Sequence, residues 1–342
     1  MRLKLNEGDR LQLAHGGGGT LMHRLIADVF QAAFPASDTH HDAATLTIPG
    51  SRIAMTTDSY VVDPLFFPGG DIGSLAVNGT VNDLAMVGAR PLYLSVGFIL
   101  EAGLEVATLQ KVVASMQRAA AIAGVQIVTG DTKVVERGKA DGMYVNTSGV
   151  GAIAPGIALG PECLRPGDVA IASGDLGRHG IAVMSVREGL EFESEIRSDC
   201  GSLAASAIAL LDAGIDVRCM RDLTRGGLAS ALNELAAAAQ VEIAIEETAI
   251  PVREDVRGAC EILGLDPLYI ANEGRMVVFV SPADAERAIQ ILTEVQPGDR
   301  DALPRVIGRV ADGRTGLVTM TSAIGSRRIV DMLSGEQQPR IC

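Results

Sequence analysis

Four aspartates in the first half of the chain, Asp42, Asp58, Asp83 and Asp131, stand at or near the ends of expected elements or inside a broken helical pattern, not on solvated faces. Carboxylates so placed are hard oxygen ligands that suit Mg²⁺ bridged to nucleotide phosphates, where the metal neutralises charge that an acidic protein would repel. A single aspartate at a strand end is commonly a turn former or a helix cap, so the inference needs several to converge. At the far end, Ser334, Gly335 and Glu336 lead into the polar tail QQPRIC, which finishes on the thiol of Cys342. A terminal thiol has a reach that no core cysteine has. The alternative is a frayed chain end with no role, and the tail acquires chemistry only if the body holds a site for it to visit.

The elements that must position these groups follow from periodicity and punctuation. HGGGGT (His15 to Thr20) precedes an amphipathic pattern and reads as a glycine-rich loop opening a helix, serving either as an anion seat at a helix N-terminus or as a plain lid or linker. Two β-like runs, His41 to Ile48 and Ser51 to Tyr60, are separated by Pro49 and Gly50. Asp71 to Val87 has helical spacing, yet its middle carries Asn78, Gly79, Asn82 and Asp83, all poor helix-interior choices. Local rules broken together mark a candidate site. Leu92 to Leu100 reads as a strand and Val106 to Ala123 as a helix. Ile127 and Val128 lead into an expected polar turn carrying Asp131 and Lys133, and Met143 to Ala154 reads as a further strand.

Gly156 to Asp168, with two prolines and three glycines, marks a domain boundary. Beyond it, Val169 to Gly174 is an expected strand. Gly174 to Leu190 is a turn plus helix in which Gly174, Gly177 and Gly180 permit close backbone approach; His179 there is either a phosphate ligand or an ordinary loop histidine. Glu193 to Cys200 reads as charged and exposed. Val217 to Ala239 repeats the logic of the first half, a strand, then a turn with Asp222, Thr224, Arg225, Gly226 and Gly227, then a helix whose start suits an anion. Pro267 to Val280 places Glu273 and Arg275 between two β-like segments, and short strands precede the tail. The expected divisions are 1–155 (with a glycine-rich loop and helix in 1–40), 156–312, and a segment 313–342 with a mobile tail.

The whole chain sets limits. Its 342 residues allow two domains with two cores. A net charge of −13 argues against general nucleic-acid or anionic-membrane binding, and 3% aromatic residues with no Trp leave no stacking platform for single strands. Five dispersed cysteines, never in a CxxC arrangement, suggest neither a disulfide framework nor a zinc site. No GxxxxGK[ST] or GxGxxG occurs. With no expected secretory leader and no uninterrupted apolar run of about 18 residues, the expectation is a soluble cytoplasmic protein.

Over essentially its whole length the chain resembles the HypE carbamoyl dehydratases of hydrogenase maturation, within the PurM-like ATP-binding superfamily. The carriers are HGGGG, the long run from Thr56 to Pro91, GDTKVV, GDLGRHG, RDLTRGGLA, NEGR and the terminal PRIC. The resemblance implies an α+β fold of two α/β domains with mixed sheets, a homodimer whose N-terminal sheets form a barrel, and a mobile tail. It implies that Asp42, Asp58, Asp83, Asp131 and Asp222 hold Mg²⁺ and ATP phosphates with Asn82 and Thr224 beside them, and that Lys133 and Glu273 flank the reacting Cys342. It further implies ATP-dependent dehydration of an S-carbamoyl group on Cys342 to S-cyano. The implied partners are the carbamoyltransferase HypF, which loads the tail, and the HypC–HypD iron-carrying scaffold, which receives the cyanide. His41 replaces the first acid of a paired-acid motif, and Leu223 stands where many members carry Pro.

Two other readings compete. A small-molecule kinase of the same superfamily would have no use for a terminal cysteine, and a nucleotide-gated scaffold would have no use for an Asp/Lys/Glu set. Selenophosphate synthesis would need a reactive residue near the N-terminus, and no cysteine precedes Cys163.

Overall fold

The computed structural model describes residues 19–25, 27, 44–48, 51–190, 195–295, 303–313, 316–335 and 338–342. Among these, the first half is a five-stranded mixed sheet. It comprises β1 (Ala44–Ile48), β2 (Ser51–Tyr60), β5 (Ala89–Glu101), β6 (Gln126–Val135) and β7 (Met143–Ile153), in the order β1-β2-β7-β5-β6. β5 and β6 are parallel, and the other neighbours antiparallel. Two-residue strands β3 (Phe66–Phe67) and β4 (Gly70–Asp71) lead into α2 (Ile72–Met86), while α3 (Val106–Ala123) makes the crossover between β5 and β6. A short α1 (Thr20–Leu25) precedes them; the rest of the glycine-rich loop, with His41 and Asp42, lies outside the described residues.

α2 begins where Asp71 caps it, its carboxylate accepting from Gly73 N at 2.7 Å and Ser74 N at 3.1 Å while Asp71 N donates to Ser74 Oγ. Such a reciprocal box satisfies amides that the first turn leaves without partners. The helix is buried on nearly every side, between the first sheet and the second half of the chain. Gly79, Asn78 and Asn82 therefore sit inside an intact helix at points of close contact, and packing overrides their poor propensity.

The second half is a seven-stranded sheet of order β14-β13-β10-β12-β8-β11-β9. Its strands are β8 (Val169–Ala172), β9 (Val217–Asp222), β10 (Glu242–Glu246), β11 (Met276–Val280), β12 (Arg305–Ala311), β13 (Leu317–Thr321) and β14 (Arg327–Ile329). The helices are α4 (Arg178–Arg187), α5 (Ala204–Asp212), α6 (Gly227–Ala239), α7 (Glu254–Leu263) and α8 (Ala285–Val295). β13 and β14 belong to this sheet, so residues 317–329 are not part of a separate terminal segment.

Four further expectations are corrected. The core is not divided by halves: its largest cluster runs from Leu75 and Val81 of α2 to Met220, Met276 and Ile341, because α2 packs against α5 and β9. Asp131 and Lys133 lie on a continuous strand, not a turn. The segment before β11 is a 3₁₀ turn, Pro267–Tyr269, rather than a strand. Ser198 and Asp199 are buried, not exposed, because their loop wedges between the halves.

Candidate functional site

β2 presents Thr56, Asp58 and Tyr60 on the face covered by α2. Thr56 Oγ1 donates to Asp83 Oδ2 of α2 at 2.7 Å, and the Tyr60 hydroxyl donates to Asp58 Oδ2 at 3.2 Å. Gly79 is what lets Tyr60 lie there, since a Cβ at that position would overlap its hydroxyl and stand 3.2 Å from Cζ. Burial pushes the Tyr60 phenol well up, and Asp58, Glu273 and Asp83 push it the same way.

From the other half, the register Met276↔Asp222 sets the turn after β9 beside the loop before β11. Asp222 is 5% exposed and its carboxyl rises to about 6, through burial first, with Arg221 opposing and Asp58 adding. Glu273 is 2% exposed and pushed well up by burial, then by Asp222, Asp199 and Asp58; its Oε1 is buried without a hydrogen-bond partner. Around it the NEG segment is braced. Asn272 donates to Leu223 O and Ile270 O and accepts from Gly177 N, while Asp199 Oδ2 accepts from Glu273 N and Gly274 N. A side chain at Gly274 would collide with the Asp199 carbonyl.

The tail closes this space. Val61 N donates to the Cys342 carbonyl oxygen at 3.0 Å and Asp63 N to Arg340 O at 3.3 Å, so residues 338–342 run antiparallel to the extension of β2. His179 is fully buried, with Nδ1 2.8 Å from Ser198 Oγ and Nε2 2.9 Å from Ile341 O. A carbonyl can only accept, so Nε2 carries the proton and Ser198 donates to Nδ1; burial pulls the imidazole pKa down and keeps it neutral. The Cys342 thiol is pushed up to about 12 by burial, with Arg225 opposing and Glu273, Asp58 and Asp222 adding. The Arg225 pKa is raised in turn by Cys342, against the opposing effect of burial, with Asp58 and Glu273 adding to the rise. The docked tail thus sets a thiol beside one arginine and several acids.

The acid excess suits a hard cation. Two buried carboxyls have raised pKa values and one oxygen is without a partner, a balance that a divalent ion would correct. Among the described residues no group of three or more His, Cys, Asp or Glu side chains is arranged to ligate one ion by itself. That fits Mg²⁺, which is usually held by one or two carboxylates together with water and phosphate oxygens. No helix among the described residues is long and apolar enough to cross a membrane.

Comparison with known proteins places this geometry. The models for AIR synthase related protein match residues 40–153 with the N-terminal domain and 165–319 with the C-terminal domain. The carbamoyl dehydratase HypE of Rhodobacter capsulatus is 54% identical over 338 residues, covering 98% of each chain. The chain belongs to the HypE carbamoyl dehydratase family. HypE from a solved HypE–HypF complex is similar at TM-score 0.85 and 45% identity, covering 90% of this chain and 99% of that one. A HypE structure in complex with ATP is similar at TM-score 0.82 and 48% identity, covering 97% and 100%.

Of the residues expected to serve the HypE site, the structure brings together Asp58, Asp83, Asp222, Glu273 and Cys342, with Thr224 in the turn that carries Asp222 and Arg225. Asp42 lies outside the described residues. Asn82 braces the two halves beside the site: its Nδ2 donates to Gly201 O at 3.1 Å and to Glu273 O at 3.5 Å, and its Oδ1 accepts from Leu203 N at 2.7 Å. Asp131 and Lys133 pair in register with Gly97 and Ile99 and point to the uncovered face of the sheet, opposite Asp58; their side chains are 75% and 74% exposed. The tail, expected to be mobile, is docked. Sequence reasoning missed Tyr60, Arg187 and the part His179 plays, and it placed Arg225 in an anion-binding turn without giving it the thiol as a neighbour. Of the missed residues Tyr60 carried a signal, since alternation along TTDSY puts it on the face of Asp58.

Proposed function

We propose that the chain performs ATP-dependent dehydration of an S-carbamoyl group on its own Cys342 to an S-cyano group, for the cyanide ligands of the [NiFe] hydrogenase iron. The observation that carries this is the seat of the terminal thiol among Arg225, Glu273, Asp58 and Asp222. A thioester-like amide loses its oxygen only once that oxygen is a good leaving group, and ATP supplies this by phosphorylating it. Mg²⁺, when bound, neutralises charge on the phosphates and on the transferred group.

The chain's own residues do the rest. One or two of Asp58, Asp83, Asp222 and Asp42 would hold the cation, with phosphate oxygens and water completing its shell, and Thr224, just before α6, would bind the phosphates. Glu273, with its pKa raised by burial and by neighbouring acids, is the base that takes one proton from nitrogen as the C≡N bond forms, and the departing phosphate carries the other. Arg225 faces the sulfur and the developing negative charge. Docking of residues 338–342 keeps water from the reacting carbon.

Pairing with a second copy extends the site. The uncovered face of the first sheet exposes Met55, Tyr93 and Ile99, and these apolar groups support a homodimer through that face. Asp131 and Lys133 point the same way, so they act in the site of the second copy rather than their own. HypF loads the tail, as the solved HypE–HypF complex of a relative suggests, and the HypC–HypD scaffold takes the cyano group. A kinase acting on a free small molecule is disfavoured, because the docked tail fills the place its acceptor would need.

Mass spectrometry of the terminal peptide tests this. After incubation with a carbamoyltransferase, carbamoyl phosphate and ATP, Cys342 should carry a carbamoyl and then a cyano group. With C342S the peptide should stay unmodified while ATP still binds; a wild-type peptide that is carbamoylated but never dehydrated refutes the reading.

A further inference from the structure

One guanidinium joins the body to the tail. Arg187, in the last turn of α4, donates from Nε to Asp63 O at 2.8 Å and from one terminal nitrogen to Arg340 O at 2.7 Å; it also reaches Asp63 O again and Pro339 O. It therefore holds a body carbonyl and two successive tail carbonyls at once. Arg340 answers in the other direction: its Nε donates to Val61 O at 3.2 Å, and its Nη1 lies 3.0 Å from Asp141 and 3.5 Å from Asp63. The two arginines share Asp63.

This part of the tail has features of a releasable contact. Its bonds are charge-assisted, hence strong when made, yet Arg187 and Arg340 keep contact with solvent, and Ile341 is the buried apolar side chain of the segment. Arg340 has φ of +52°, in the left-handed region that non-glycine residues adopt at a cost. Docking therefore has to hold this residue in an unfavourable backbone state. Further back, Gln338 accepts from Ala271 N at 3.1 Å and packs where any side chain at Gly180 would collide with it.

We propose that Arg187 is a positioning residue that, with the Arg340 pair to Asp63 and Asp141, latches the C-terminal tail in its docked position and sets the fraction of time Cys342 spends at the acid cluster. The inference deepens the proposed function, since a carrier thiol must both enter and leave. Arg187 acts on the reaction through the tail backbone, not through the reacting atoms.

Per-residue thiol labelling of the full-length protein tests the latch without ATP, a partner or turnover. Iodoacetamide labelling followed by peptide mass spectrometry gives a rate for Cys342, with the buried Cys219 and Cys260 as internal references. R187A should label Cys342 faster by about ten- to a hundredfold, the factor expected from losing one or two hydrogen bonds to a charged group. R187K should recover part of the protection, and R340A, outside the folded body, should act in the same direction as R187A. Unchanged Cys342 labelling in both R187A and R340A overturns the proposal, as does a parallel rise at Cys219 and Cys260, which would mark Arg187 as a general support. Because labelling needs no dehydration, a protein that latches but does not convert its tail would refute the function and leave the latch standing.

Discussion

Gly79→Ala isolates the contact that shapes the site from the first half. In an ordinary helix interior this change stabilises by about 1 kcal/mol, because alanine is the better helix former. Here the new methyl would overlap the Tyr60 hydroxyl and approach Cζ to 3.2 Å, and overpacking of a close-packed core costs about 1–3 kcal/mol. Tyr60 is buried, so it has no solvent to swing into. The expected net effect is a loss of up to about 2 kcal/mol, with Tyr60 pushed from Asp58. Y60F removes the overlapping oxygen and forfeits the bond to Asp58, at about 1 kcal/mol. In the Y60F background G79A should then be close to neutral, giving a coupling of about 1–2 kcal/mol in a double-mutant cycle read from urea denaturation. If G79A raises the midpoint in the wild-type background, or the two changes add within about 0.5 kcal/mol, the close approach of Gly79 to Tyr60 does not set the packing.

N82A should leave Gly201 O and Leu203 N without their side-chain partner, at about 2–3 kcal/mol. Thermal denaturation should show a drop of several degrees, with nucleotide affinity of the folded protein changed by less than about threefold. A large affinity loss without a stability loss would restore Asn82 as a ligand. In metal-free, nucleotide-free protein, Asp222 and Glu273 keep their protons to higher pH when folded than when unfolded. The folded state binds more protons between about pH 4 and 6 and above, so their contribution to stability is present at low pH and is lost as pH rises through the folded values. D222N should remove part of that slope, on the order of 1–3 kcal/mol between pH 4 and 7, measured by denaturation at each pH; an identical slope in D222N would contradict the burial-driven shift.

Legibility in the sequence followed from how local the cause was. α3 was readable at its ends because apolar spacing stops at Gly124, whose left-handed φ of 69° ends the helix. Asp58 and Asp222 were readable because a strand ending on an acid repeats in both halves, and Asp83 because it interrupts a helical pattern. β6 was misread at Gly130 and Asp131, since glycine beside aspartate signals a turn. The glycine serves instead to bring β6 against β5, where a Cβ would collide with Val96 O. Asn78, Gly79 and Asn82 were flagged as a break in the helix, but the helix is intact and the cause of two of them is long-range: Asn82 spans to Gly201 and Leu203, and Gly79 to Tyr60. Arg187 and Asp199 gave no local sign, because their partners are backbone atoms brought near only by tertiary folding.

The way the tail is held also fixes the register of residues 338–342 against residues 61–63. Val61 binds the carbonyl of the final residue and Asp63 that of the residue two before it. Deleting or adding one residue between Gln338 and Cys342 would shift this pairing by one and turn alternate side chains to the opposite side. For this segment the spacing from Gln338 to Cys342 is as much a specification as the residues themselves.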